Sequence, residues 1–229
     1  MNHISEGFLT AVQLLIRGDA ETYSAVSATI RVSGYSISVS LILGIPLGFL
    51  LGYYHFRGKR QVRLLVDTML ALPTVFIGLL VYAFLSRRGP LGEWGLLFTL
   101  PGIAIGQTIL ALPIVIALSA SAVETMDQHL RITLISLGAN QRQLFFSTLW
   151  EVRHSILAAA LTAYGRVMTE VGISMMVGGN IKWHTRTITT AIALETNKGL
   201  FSMGIALGLV LILIAFIVNL SVSFLRKRS

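Results

Sequence analysis

Ionisable residues divide this chain into long apolar runs. A helix needs about 20 mostly apolar residues to cross the hydrocarbon core of a bilayer. Val32–Tyr54, Thr68–Ser86, Trp94–Val123 and Gly199–Leu225 meet that length. Ile156–Val177 is a fifth run, apolar in outline although it holds Arg166 and Glu170. The pattern predicts an all-α, polytopic membrane helix bundle with about five transmembrane helices, spread over residues 22–225. Ahead of it, Phe8, Leu9, Val12, Leu15 and Ile16 fall on one face of a helix too short to cross, so residues 1–21 are expected to lie in the membrane interface.

Two connections are polar enough to stand outside the bilayer. The stretch 124–155 carries Asp127, Arg131, Arg142, Glu151 and Arg153. Asp127 is placed to cap a short helix that Gly138 ends, and Asn140 to cap a second one, Gln141–Trp150. The other connection, Gly178–Lys198, opens on Gly178-Gly179-Asn180 and predicts a short helix over Thr187–Glu195.

Composition agrees with the membrane class. Charged residues make up 12% of the chain and hydrophobic ones 54%, against about 25% charged in an average soluble domain; mean hydropathy is +0.76. The net charge of +8, from 18 Lys+Arg against 10 Asp+Glu, would suggest nucleic acid in a soluble chain. Here short cytoplasmic loops explain it, and no nucleic-acid partner is expected. With the N-terminus outside, Arg57, Lys59, Arg60, Arg63, Arg131, Arg142, Arg153, Arg226, Lys227 and Arg228 fall in the cytoplasm, ten in all. Arg17, Arg87, Arg88, Lys182, Arg186 and Lys198, six in all, fall outside. That bias favours an external N-terminus and a cytoplasmic basic tail, 226–229. The first 22 residues lack the basic start and apolar run of a cleaved signal peptide.

Candidate chemistry is sparse. The absence of cysteine removes disulfides, thiolate metal sites and cysteine nucleophiles. The histidines are scattered without ligand spacing, and no P-loop or nucleophile elbow is found, so neither a metal, a cofactor nor an enzymatic activity is expected. Ser36, Ser40, Gly44, Gly48 and Gly52 recur every fourth residue, as do Gly102/Gly106 and Gly204/Gly208. Such spacing lets helix backbones approach, either within the bundle or between two copies of the chain. Pro46, Pro73 and Pro113 mark possible kinks. Arg166 and Glu170 are the most informative charges, because each costs about 2.5–3.5 kcal/mol at a helix centre. Four residues apart, they share a helix face; they serve either as a structural ion pair or as part of an anion pathway.

At the 124–155 connection the chain resembles the membrane subunits of bacterial ATP-binding-cassette importers. Their loop reads Glu-Ala-Ala, three residues, then Gly; here Gly138-Ala139 stand at the glycine, while Ile132, Thr133 and Leu134 replace the acidic signature. Ser86-Arg87-Arg88-Gly89-Pro90-Leu91-Gly92, Gly106-Gln107, Ala111-Leu112-Pro113-Ile114-Val115, Gly165-Arg166 and Glu170-Val171-Gly172 look like the molybdate and tungstate branch. Met175-Met176-Val177-Gly178-Gly179-Asn180-Ile181 and Thr189–Thr196 look like its tungstate members. The resemblance implies a type I importer transmembrane domain that moves tungstate, with molybdate or another tetrahedral oxyanion as the alternative cargo. It also implies a second copy of the chain, two cytoplasmic ATPase subunits and an external tungstate-binding protein, all working in lipid. Thr133, Leu134, Gly138, Ala139 and Asn140 would then couple to the ATPase, and Arg166, Glu170 and Asn180 are translocation-path candidates. A passive anion channel is the competing class; a channel has no use for a two-helix cytoplasmic lever.

Overall fold

The computed structural model describes residues 3–126 and 128–227. Every regular element among them is helical: α1 (His3–Arg17), α2 (Ala20–Tyr53), α3 (Lys59–Leu70), α4 (Thr74–Leu85), a 3₁₀ turn (Gly92–Trp94), α5 (Leu100–Glu124), α6 (Gln128–Ser136), α7 (Gln141–Glu151), α8 (Arg153–Met168), α9 (Gly172–Gly178), α10 (Ile188–Asn197) and α11 (Phe201–Lys227). Three helices, α2, α5 and α11, are each long and apolar enough to cross a membrane, and counting the two bent pairs, α3 with α4 and α8 with α9, as one span each gives up to five. The all-α bundle of about five spans is therefore what the chain folds into.

Two of those spans are not the continuous helices that hydropathy suggests. The run Thr68–Ser86 breaks at Ala71–Pro73, because proline has no N–H to donate and pushes the residue before it out of helical geometry. Pro73 itself is extended, at φ −62° and ψ 128°, and caps α4. With 12 residues, α4 is only about 18 Å long, short of the roughly 30 Å hydrocarbon core of a bilayer. The run Ile156–Val177 stops at Met168, and two residues on, the Glu170 carboxylate accepts from Ile173 N at 3.1 Å, so that a side chain takes an amide of the first turn of α9. By contrast, α2 and α5 run through Pro46 and Pro113 without interruption. The first span starts at Ala20 rather than Val32, and residues 95–99 ahead of α5 are not helical. Asp127, the expected cap of α6, lies outside the described residues, as do Arg228 and Ser229 of the expected basic tail.

The chain divides into two compact units, one of Met1–Ser36, Pro73–Leu110 and Tyr164–Ser229, the other of Ile37–Leu72 and Ala111–Ala163. In the second unit the small-residue stripe of α2 lies along α5. A Cβ at Gly48 would stand 2.6 Å from the Ile116 carbonyl oxygen, and one at Gly52 2.6 Å from that of Ala120. Contacts advance together, Gly44 to Val115, Gly48 to Ser119 and Gly52 to Val123, so the two helices run parallel. The stripe thus packs within one chain. Gly48→Val is expected to lower stability by about 1–3 kcal/mol through overpacking, whereas Gly208→Ala, with open space around it, leaves the thermal midpoint of the purified protein unchanged.

One end of the second unit is closed by Phe49, Val123, Val152 and Ile156. Phe145 of α7 meets the Phe49 ring edge-on at 4.8 Å. Lys59 donates to the Gly52 carbonyl at 3.1 Å and pairs with Glu124 at 3.1 Å, capping the end of α2. In the first unit, α1 is a longer helix than its apolar face alone requires. It packs on α11, where Gly7 meets Ile205 and the Ser202 carbonyl, while Ile4, Phe8, Leu9, Val12 and Ile16 stay exposed. Thr187 caps α10 in a reciprocal box with Thr190, and Ile188 N donates to Thr29 Oγ1 of α2 at 2.9 Å.

Candidate functional site

The coupling candidates sit together on α6, α7 and the turn that joins them, in the second unit. Leu137 N donates to the Thr133 carbonyl at 3.0 Å and Ala139 N to that of Leu134 at 3.0 Å, with Gly138 left-handed at φ 81° between them. That arrangement satisfies the carbonyls a helix end leaves open. Asn140 Oδ1 accepts from Gln143 N at 2.9 Å and Gln143 Oε1 from Asn140 N at 2.8 Å, which starts α7. Hydrogen bonds hold the turn on both sides. Around it Ile132, Ile135, Leu137, Phe146 and Trp150 are exposed. Arg153 lies over the Trp150 ring at 4.4 Å and donates to the Trp150 carbonyl at 2.6 Å, fixing the indole outward.

Arg166 and Glu170 do form an ion pair, Nη1 to Oε2 at 3.3 Å, but not on one continuous helix face. Glu170 follows the end of α8 and belongs to the break. Its side chain is 2% exposed against 45% for Arg166, and its other oxygen holds the first turn of α9 through Ile173 N. The Glu170 carbonyl accepts from Ser174 Oγ at 3.2 Å and from Thr189 Oγ1 at 3.0 Å. The carboxylate is thus a buried joint, and the guanidinium is the half that faces outward.

Asn180 lies beyond the other end of α9, left-handed at φ 50°. Its Oδ1 accepts from Arg186 Nε at 3.2 Å. Arg186 in turn pairs with Glu21, which also pairs with Lys182 at 2.7 Å. Asn180 therefore orients an arginine and is not joined to the Arg166–Glu170 pair by any direct contact.

Two groups were missed by sequence reasoning. One is the Glu21–Lys182–Arg186 trio, for which the only sequence signal is two cations four apart in the loop between α9 and α10. The other is a buried amide and hydroxyl chain: Ser36 Oγ donates to Gln107 Oε1 at 3.3 Å, and Gln107 Nε2 to Ser174 Oγ at 3.3 Å. Gln107 is 3% exposed, and a polar group at that depth is retained only with partners. At the start of α2, hydrogen bonds from the Thr22 hydroxyl and amide hold the Asp19 carboxyl below the usual carboxylate range. Among the described residues no cluster of three or more His, Asp or Glu is placed to hold a metal.

Residues 44–229 match the family of binding-protein-dependent transport system inner membrane components, and the chain belongs to it. It is a multi-pass inner-membrane permease subunit of an ABC importer and not a catalytic domain. The chain is 48% identical to the tungstate uptake system permease protein TupB of Campylobacter jejuni over 96% of its own length and 92% of that protein's. It is 36% identical to the TupB of Peptoclostridium acidaminophilum, over 96% of both. A probable anion ABC transporter permease protein of Haloferax volcanii is 39% identical over 86% of this chain and 87% of its own.

Proposed function

We propose that this permease carries tungstate inward across the membrane as a homodimer, driven by two cytoplasmic ATPase subunits and fed by an external tungstate-binding protein. The similarity to two tungstate permeases over nearly the whole chain supports the cargo; molybdate and other tetrahedral oxyanions are its competitors. The observation that carries the coupling is the hydrogen-bonded α6–α7 turn with exposed apolar side chains around it, since an exposed patch of this kind marks a contact surface. Thr133, Leu134, Gly138, Ala139 and Asn140 are its core, seated in a groove of the ATPase. Arg166, the exposed half of its pair, attracts the dianion in a poorly screened path, and Glu170 and Asn180 act by positioning.

The N-terminus lies outside, so a reporter fused after Ser229 is expected in the cytoplasm and one inserted within 89–92 outside. Affinity-tagged chain expressed with its neighbouring genes should bring down one ATPase per copy. Both reporters on one side, or a chain that purifies without an ATPase, contradicts this reading.

A further inference from the structure

The largest concentration of charge in the first unit surrounds a cavity of about 390 Å³ lined by Asp19, Glu21, Lys182, Arg186, Glu195 and Lys198, among others. Glu21 bridges two cations there: one carboxylate oxygen pairs with Lys182 Nζ at 2.7 Å and the other with Arg186 Nη1. The loop that carries both cations is tied down without Glu21. Thr185, 1% exposed, ties the loop by donating to the Gly178 carbonyl at 2.5 Å and accepting from Ile181 N at 3.1 Å. The Ile181 carbonyl also takes the amides of Thr185 and Arg186, each at 3.0 Å, closing one tight turn that carries both cations. Asn180 fixes the guanidinium from its far side at Nε, leaving the Nη1 edge toward Glu21. Lys182 leans on the Trp183 ring at 5.1 Å. The other carboxylates are engaged elsewhere, Asp19 with Thr22 and Glu195 with Lys198 at 2.7 Å.

We infer that Lys182 and Arg186 form an oxyanion-binding site in which the Glu21 carboxylate stands in for the ligand, and that a free tetrahedral dianion binds by displacing it. A preorganised ammonium and guanidinium suit any group presenting two or more anionic oxygens. Glu21 offers two oxygens and one charge, whereas a dianion such as tungstate, molybdate or sulfate offers four oxygens and two charges. The cavity exceeds about ten times the volume share of a water molecule, so a five-atom anion fits without moving the loop. The Glu21 side chain, 38% exposed, has solvent to turn into when displaced. A lipid phosphodiester shares the oxygens but carries a single charge, which disfavours it against the free dianion. This inference rests on the oxyanion reading above for its role in transport, placing a receiving site at the outer mouth.

The test is equilibrium dialysis of tungstate against the full chain in nanodiscs, counting tungsten by mass spectrometry. Glu21→Gln removes the competing charge and should tighten binding about tenfold, to one anion per chain. Adding Lys182→Gln, on a half-exposed side chain, should cancel that gain, and Arg186→Gln should do the same. No tightening in Glu21→Gln, or a gain that survives loss of both cations, overturns the site. A wild-type affinity unchanged between zwitterionic and anionic lipid supports a free oxyanion, while weakening in proportion to anionic lipid assigns the site to headgroups and overturns the proposal. If sulfate or molybdate shows the Glu21→Gln pattern and tungstate does not, the site stands and the cargo reading falls; nucleotide-driven uptake by the wild-type importer tests that reading separately.

Discussion

Gly138→Asp is expected to cut ATP-driven uptake by more than about tenfold while leaving the amount of membrane-inserted protein unchanged. Gly138 is exposed, left-handed at φ 81° and has open space around its Cα, so a side chain meets nothing inside the chain. Asn and Asp both tolerate that backbone better than other residues. They differ in charge. Gly138→Asn therefore tests the turn and Gly138→Asp tests the apolar contact made around it, where loss of one central contact is worth 1.4 kcal/mol or more, or about tenfold. Retained uptake in Asn with loss in Asp places Gly138 inside the docking surface. Normal uptake in both shows a turn that no partner touches.

The second large effect lies at the Arg166–Glu170 joint. Removing one partner from a fully buried pair costs about 3–5 kcal/mol, but Arg166 is 45% exposed, which reduces the cost to about 1–2 kcal/mol for Arg166→Gln. Glu170→Ala should be worse, because it takes the cap from α9 as well as the partner from Arg166. Glu170→Gln keeps an oxygen for Ile173 N and is the milder change. The pathway reading predicts that the double variant Arg166→Gln with Glu170→Gln regains protein abundance but not uptake. Full transport by that double variant removes the pair from the path and leaves it a structural joint. Measuring abundance and uptake side by side separates the two roles.

How far the fold was legible follows from what sequence patterns encode. Apolar runs report the existence of a span, and all five were visible in that way. They do not report hydrogen-bond competition, which is why the breaks at Pro73 and at Thr169–Val171 were hidden inside runs of the right length. Glu170 shows the difference well. Its spacing from Arg166 gave the ion pair correctly, yet the helical face that the spacing assumes ends two residues earlier, at Met168, and the carboxylate binds the next helix instead. The capping of α7 was readable because Asn140 and Gln143 are neighbours in sequence. Gln107 with Ser36 and Ser174, and Glu21 with Lys182 and Arg186, join residues about 70 and 160 positions apart. No local pattern announces such pairs.

The central claim is that this chain is the oxyanion path of an ATP-driven importer. Its most direct test is tungstate uptake into proteoliposomes holding the chain with its ATPase, with the binding protein and ATP presented on opposite faces. Uptake that is saturable, requires all three proteins and stops with a non-hydrolysable nucleotide is the predicted result. Uptake by the chain alone, indifferent to ATP, would contradict it and establish a passive channel.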